Sequence, residues 1–507
     1  MLIASSILPL RNYPSLPLEN CFVKRQAKTM NQPPSPPPLP APVDRATEAM
    51  AVAHVPRHDL AAPPSVQSPL QRMLRQAAHL ATGNATAVGI GMMTLALMAQ
   101  MLGPALLGII AMVEAYGRLI DQIIRLESWQ AIIRYGSAAI EKGDRAAFVR
   151  LVQFGVALDA IGALAAGAIT FLAVPFVGAW LGWNLETQNM ARYYSIAVVF
   201  GISSTPIGIL RLFNRFSVIA WLEPVLALLR LAGVVSVAVL GGAIWPLLAI
   251  IIAIPCLQRL ALTLAAILEL RRNGYRFAPS FSGLSHAREF PDIWSLVLSS
   301  NGVVLIRKAT QEMDILAVGA IAGPIGAGIY QFVRKFTLAA MKAGSMLQQV
   351  ALPDLARLWA RRDIDNFVTA IRHVELLTLA VAVSFVLGVL AVGDRAILLI
   401  AGPGFEDAGP ALLVQSFAAL LFLAGSALRP ALMTMGLQPQ VFRVALVAGV
   451  VFALTLYLAT PRLGVIGAGV AHILFNIIWL PSCLLLFARA LKREREPASP
   501  HHSPAPD

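Results

Sequence analysis

From about Thr82 to about Arg489 the chain is a succession of apolar runs, each near twenty residues and divided by short polar or glycine–proline segments. About 20 consecutive apolar residues in an α-helix cover a hydrocarbon core roughly 30 Å thick. Only helices and closed barrels satisfy their own backbone groups at that depth. The runs therefore predict an all-α polytopic membrane protein. Charged residues make up 13% of the 507 positions and hydrophobic ones 57%, too little charge to cover a soluble domain of this size. Twelve transmembrane helices are predicted, near 80–101, 105–126, 151–174, 191–211, 217–240, 244–268, 293–321, 325–350, 368–392, 410–434, 441–459 and 465–488. The seventh is interrupted by Arg307, Lys308, Glu312 and Asp314.

The formal charge of +13 raises the question of nucleic acid. The positions of the charges answer it. Twenty-one Lys and Arg fall in one alternating set of connections, the opposite set holding only Arg192, Arg395 and Arg462. Basic residues are retained on the cytoplasmic side, so the rich set is cytoplasmic, both termini face the cytoplasm, and no nucleic-acid partner is implied. Residues 1–70, with Pro33–Pro34–Ser35–Pro36–Pro37–Pro38, read as a disordered Pro-rich cytoplasmic tail. Leu2–Leu10 is too short to span and has no basic flank, so no signal peptide is expected, and Met30 or Met50 are alternative starts. Residues 491–507 read as a basic, disordered C-terminal tail. Cys21, Cys256 and Cys483 have neither metal-ligand nor disulfide spacing, and no metal or cofactor is expected.

An internal repeat divides the rest. Leu102–Leu119, LGPALLGIIAMVEAYGRL, matches Ala322–Ala339, AGPIGAGIYQFVRKFTLA, at an offset of 220. Gly103, Pro104, Gly108, Ile109 and Val113 correspond to Gly323, Pro324, Gly328, Ile329 and Val333. Each Gly–Pro pair predicts a tight turn between two spans. Lys142, Asp144, Phe148 and Val149 match Arg361, Asp363, Phe367 and Val368 at an offset of 219. The organisation is thus an N-terminal six-helix bundle over 75–270, a cytoplasmic linker over 271–291 and a C-terminal six-helix bundle over 292–490. The two form a pseudo-symmetric pair around a central cavity, where repeat-built transporters bind their substrates.

Intramembrane charges mark that cavity, because a charge at bilayer depth costs about 2.5–3.5 kcal/mol on insertion scales. Glu114, Arg118, Asp121 and Arg125 form one stripe on the second span. The eighth carries Arg334, Lys335 and Lys342, with no acid between Tyr330 and Leu352. Such a basic surplus asks for an anion, with arginine suited to phosphate through its forked donors. The candidate substrate-binding residues are Arg118, Arg307, Lys308, Arg334 and Lys342, with Arg334 placed to face Glu114 across the pseudo-axis. Glu114 and Asp314 are the candidate ion-coupling residues. Mutual pairing is the competing reading for the stripe, and Glu223 with Arg230 reads as a structural pair. Trp180 and Trp183 read as interfacial anchors. No catalytic residue is singled out.

The LGPALLG and AGPIGAGIY turns, the ARRDIDNF loop and the PRLGVIGAGVA lead into the last span resemble the polysaccharide-transporter branch of the multidrug/oligosaccharidyl-lipid/polysaccharide flippase superfamily. The resemblance runs over about residues 75–490; the Pro-rich tail has no counterpart in it. It implies two six-helix bundles around a V-shaped cavity. It also implies alternating-access transport of undecaprenyl-pyrophosphate-linked sugar units across the bacterial inner membrane, for lipopolysaccharide, O-antigen or exopolysaccharide synthesis, beside a polysaccharide polymerase machinery. The partners so implied are the lipid-linked oligosaccharide and the bilayer. The chain has no GxxxxGK[ST] ATP-binding loop of its own. A cation-coupled drug exporter of the same superfamily is the first alternative. A membrane-embedded glycosyltransferase or O-antigen polymerase is the second, although its usual large outer loop is missing here.

Overall fold

The computed structural model describes the backbone of residues 69–201, 204–276 and 281–495. Within these, the side chains of 69–82, 84, 281–282, 299–300, 302–311, 343, 345–354, 356, 360 and 495 are outside the description. The Pro-rich N-terminal region and Cys21 also lie outside the described residues.

All described regular structure is helical. In chain order the helices are α1 (Pro69–Ile124), α2 (Trp129–Glu141), α3 (Arg145–Trp180), α4 (Leu185–Val199), α5 (Ser204–Leu212), α6 (Phe216–Val239) and α7 (Ile244–Arg272). A 3₁₀ segment, Phe281–Glu289, leads to α8 (Ile293–Ala360), α9 (Ile364–Ala401), α10 (Ala408–Leu423), α11 (Leu428–Thr434), α12 (Gln438–Leu463) and α13 (Val465–Arg495). Ten helical stretches among the described residues are long and apolar enough to cross a membrane. The chain is a multi-pass membrane protein, with the large apolar side chains of its outer faces exposed.

Two of those stretches are hairpins. α1 is interrupted only at Gly103 (φ 66°, ψ 177°) and α8 only at Gly323 (φ 71°, ψ −176°), a region of backbone space that is essentially glycine's alone. Both reverse the chain. On one continuous helix Asp314 and Arg334 would be about 30 Å apart, yet Arg334 Nε lies 3.5 Å from Asp314 Oδ2. Likewise, Met101 meets Gly242 just past the end of α6, while Glu114 pairs with Arg230 in the middle of α6. The two Gly–Pro turns are therefore reversals, as their sequence implies.

The hairpins meet at their repeated glycines. A Cβ added to Gly108 would sit 1.8 Å from the Pro324 carbonyl oxygen, and one added to Gly328 would sit 1.9 Å from that of Pro104. This reciprocity is what a two-fold axis between the repeats requires. The second sequence match is also structural. Asp144 caps α3 by accepting from Ala147 N at 2.8 Å, and Asp363 caps α9 by accepting from Asn366 N at 3.3 Å.

A third repeat is visible only in three dimensions. The fourth span is broken between α4 and α5, and its counterpart is broken between α10 and α11. A break inside a bilayer frees backbone groups that have no water to bond. In the N-terminal half Asp159 of α3 accepts from Thr205 N at 2.8 Å; in the C-terminal half Glu375 of α9 accepts from Ala427 N at 2.9 Å. The carbonyl end of α4 is met by arginines. Arg125 Nη2 donates to Val198 O at 2.5 Å, and Arg259 Nη1 donates to Val199 O at 2.7 Å.

Three sequence expectations are corrected here. The connection after the second span is not all loop, since it contains α2, whose first turn is anchored by Ser128 to Ser204 and Thr205. α13 runs to Arg495 instead of giving way to a tail at 491, and the basic residues of its last turns suit a helix C-terminus. Trp183 is buried edge-to-face against Tyr116, with ring centroids 5.7 Å apart, so only the exposed Trp180 remains available as an interfacial anchor.

Gly108→Val should lower the unfolding temperature of the purified protein, overpacking of this kind costing about 1–3 kcal/mol. Gly89→Ala, where an added Cβ meets nothing within 4 Å, should not. Thermal unfolding in detergent checks both.

Candidate functional site

Between the hairpins and α4 to α7 lies a cavity of about 980 Å³. Leu95, Met98 and Leu107 line it towards the turns, and Glu127, Trp129 and Arg211 line it at the opposite, basic end. The turn end is packed shut. Gln100 Nε2 of α1 donates to Ile400 O of α9 at 3.0 Å, Gly404 lies against Pro104, and the Gly108–Gly328 contact lies just beneath. The chamber is thus sealed at the turns and extends towards the basic face.

Six cationic and four carboxylate side chains line the chamber among the described residues. Two of the acids, Glu114 and Asp121, are held in ion pairs. Arg118 Nη1 donates to Glu114 Oε2 at 3.0 Å, and Arg230 Nη2 to Glu114 Oε1 at 3.1 Å. Arg118 also donates through Nε to Glu312 Oε2 at 3.2 Å, tying the first hairpin to the second. Asp121 pairs with Arg125 at 2.7 Å, and Glu223 accepts from Gln258 at 2.8 Å. At the basic end Asn301 Nδ2 donates to Glu127 O at 3.1 Å while its Oδ1 accepts from Glu127 N at 2.7 Å. The Arg211 guanidinium stacks 4.6 Å from the Trp129 ring. Lys335, on the second arm of α8, is exposed to the chamber and makes no hydrogen bond or ion pair among the described residues.

Of the residues singled out by sequence, Glu114, Arg118 and Lys342 line the chamber together. Arg334 does not, and it does not face Glu114. It is 8% exposed and lies against Asp314, which also accepts from Tyr330 Oη at 2.8 Å and lies 3.6 Å from His472 Nε2. Asp314 is likewise outside the chamber, 1% exposed within the C-terminal half. The side chains of Arg307 and Lys308 fall outside the described residues. Arg230 pairs with Glu114, so the expected Glu223–Arg230 pair is not formed.

Helical geometry explains the exchange of Arg334 for Lys335. At 100° per residue, Lys335 and Lys342 are seven apart and lie within about 20° of each other, whereas Arg334 is about 80° from Lys342. The signal was in the spacing. Arg230 and His472 had no such signal, because each meets its partner across more than a hundred residues of sequence.

No protein-family model matches the chain. Inner membrane protein YghQ of Escherichia coli (strain K12) is 28% identical over 338 residues, covering 66% of this chain and 94% of that protein. Among solved structures, the lipid II flippase MurJ in an inward closed conformation aligns with a TM-score of 0.61 at 14% identity. That alignment covers 82% of this chain and 89% of MurJ. An inward-facing multidrug resistance MATE family transporter of the MOP superfamily aligns with a TM-score of 0.60 at 15% identity, over 83% of this chain and 96% of that one. The chain has the fold these proteins share.

In a background with the native cysteines replaced by serine, Lys335→Cys should react with a water-soluble, membrane-impermeant thiol reagent at least ten-fold faster than Arg334→Cys. Labelling rates in inside-out vesicles make the comparison.

Proposed function

We propose that the chain is a carrier, not an enzyme, moving undecaprenyl-pyrophosphate-linked oligosaccharide units across the bacterial inner membrane by alternating access. The units would serve lipopolysaccharide, O-antigen or exopolysaccharide synthesis. The carrier crosses the membrane twelve times, each hairpin arm counting once, with both ends cytoplasmic. The reading rests above all on Lys335, an unneutralised cation beside the Arg118–Glu114–Arg230 cluster in a chamber between duplicated hairpins. Exposed to the chamber and without an ion pair among the described residues, its ammonium is placed to take up a substrate anion as a point charge. In this scheme Lys335, Arg118, Arg230 and Lys342 hold the pyrophosphate. Trp129, Asn301 and Gln258 offer stacking and hydrogen bonds to sugars, and the lipid tail stays in the bilayer.

A fold shared with a lipid II flippase fits this reading, as does the inner-membrane name of the E. coli relative. A fold shared with a multidrug transporter supports the alternative of a cation exporter. The chamber favours the anion. Glu114 is held between two arginines and Asp121 by Arg125, so a cationic drug would have to displace an arginine from either, and six cationic side chains face four carboxylates in the lining. For coupling, the Asp314–His472–Tyr330–Arg334 cluster is the better seat, since its carboxylate and imidazole could exchange a proton as the C-terminal half repacks. Arg334 then belongs with coupling and not with substrate.

In vesicles containing the purified protein, Lys335→Gln should slow translocation of a fluorescent lipid-pyrophosphate oligosaccharide at least ten-fold, equivalent to about 1.4 kcal/mol. Its abundance in the membrane should not change. Normal translocation by this variant, or export of a cationic dye by the wild type in its place, would count against the reading.

A further inference from the structure

A second basic concavity lies away from the central chamber. The first two turns of α3 and the residues following α7 flank an open concavity of about 440 Å³, lined by Arg145, Val149, Arg150, Gly274, Tyr275 and Arg276. Among the described residues no carboxylate lines it. Arg150 is neutralised by Glu289, whereas Arg145 and Arg276 make no ion pair among the described residues. Arg145 lies over the Tyr275 ring, with its guanidinium carbon 5.9 Å from the centroid.

The pocket is built, not merely crowded. The Tyr275 ring is fixed from below by Phe148 and Phe213, at centroid distances of 4.7 and 6.2 Å. Gly274, at φ +76°, reverses the chain so that Tyr275 and Arg276 turn back towards α3. Both walls are ends of membrane-length apolar helices, α3 beginning at Arg145 and α7 ending at Arg272, on the basic face. Basic pockets between helices at this level are suited to anionic head groups. Two uncompensated guanidiniums offer forked donors to phosphate oxygens.

We propose that this pocket binds the phosphate of an anionic ligand, through Arg145 and Arg276 above Tyr275, as a site separate from the transport chamber. A phospholipid head group and a soluble phosphate share that chemistry. The purified full-length protein, released from mixed phosphatidylglycerol and phosphatidylethanolamine micelles, is to be examined by native mass spectrometry. The wild type should retain phosphatidylglycerol at least five-fold over phosphatidylethanolamine. Arg145→Gln/Arg276→Gln should lose that preference. Arg271→Gln/Arg288→Gln, which removes the same charge from the same face, should keep it. Arg145→Lys/Arg276→Lys should retain it in part, which distinguishes loss of a site from loss of folding.

The second arm is a calorimetric titration with inorganic phosphate in zwitterionic micelles. An isotherm abolished by Arg145→Gln/Arg276→Gln assigns the site to a soluble phosphate; lipid retention without an isotherm assigns it to the head group. Equal loss in both glutamine pairs would reduce the pocket to diffuse surface charge and overturn the proposal. So would an unchanged preference in Arg145→Gln/Arg276→Gln together with no isotherm.

Discussion

The architecture turns on a contact between two backbones. Gly108 and Gly328 allow the paired hairpins to approach so closely that neither position has room for a methyl group. Inside a bilayer there is little hydrophobic gain from bringing helices together, so close approach over small residues supplies the packing energy. Here the approach also sets the symmetry, because each glycine lies against the proline carbonyl of the other repeat. The seal at the turns, the separation of the walls below it and the position of the chamber all follow from where those two hairpins touch.

Polar satisfaction is the second constraint. A continuous helix carries its own hydrogen bonds through lipid, but both halves break their fourth span and supply replacements from a neighbour. Asp159 and Glu375 take the amide ends, and in the N-terminal half Arg125 and Arg259 take the carbonyl ends. This changes the meaning of the charged stripe. All four line the chamber, but Arg125 with Asp121 also braces the broken helix, while Arg118 and Glu114, one to three turns nearer the seal, tie α1 to α8 and α6. Charges evenly spaced on one helix face thus divide between two tasks.

Much of this was legible in the sequence. The apolar runs gave the class of fold, and the Gly–Pro repeat gave both reversals, because glycine and proline narrow local geometry so strongly. The repeated aspartate caps were also readable, being local. The broken fourth spans were not, since Ile202 and Ser203 sit in an apolar run and the capping acids come from another helix. Nor was the partner of Arg230 or of Asp314, each set by long-range packing. Arg334 stands at the repeat position of Glu114, yet the helix period sets it about 80° from Lys342 while Lys335 lies within about 20° of it, and the structure puts Arg334 against Asp314.

Lys335 has a further, electrical consequence. Under the proposed carrier reading, in which the chamber is presented alternately to the two sides of an energised bacterial membrane, negative within, an ammonium with no ion pair among the described residues makes the empty form a charged object moving in a field. Each elementary charge carried across the full potential is worth about 2.3 kcal/mol per 100 mV. The vacant form is then drawn to the inward orientation, while a bound anion cancels or reverses the pull. Voltage alone would give such a cycle direction: cargo is taken up where the empty form is held, and the field helps reset the carrier after release.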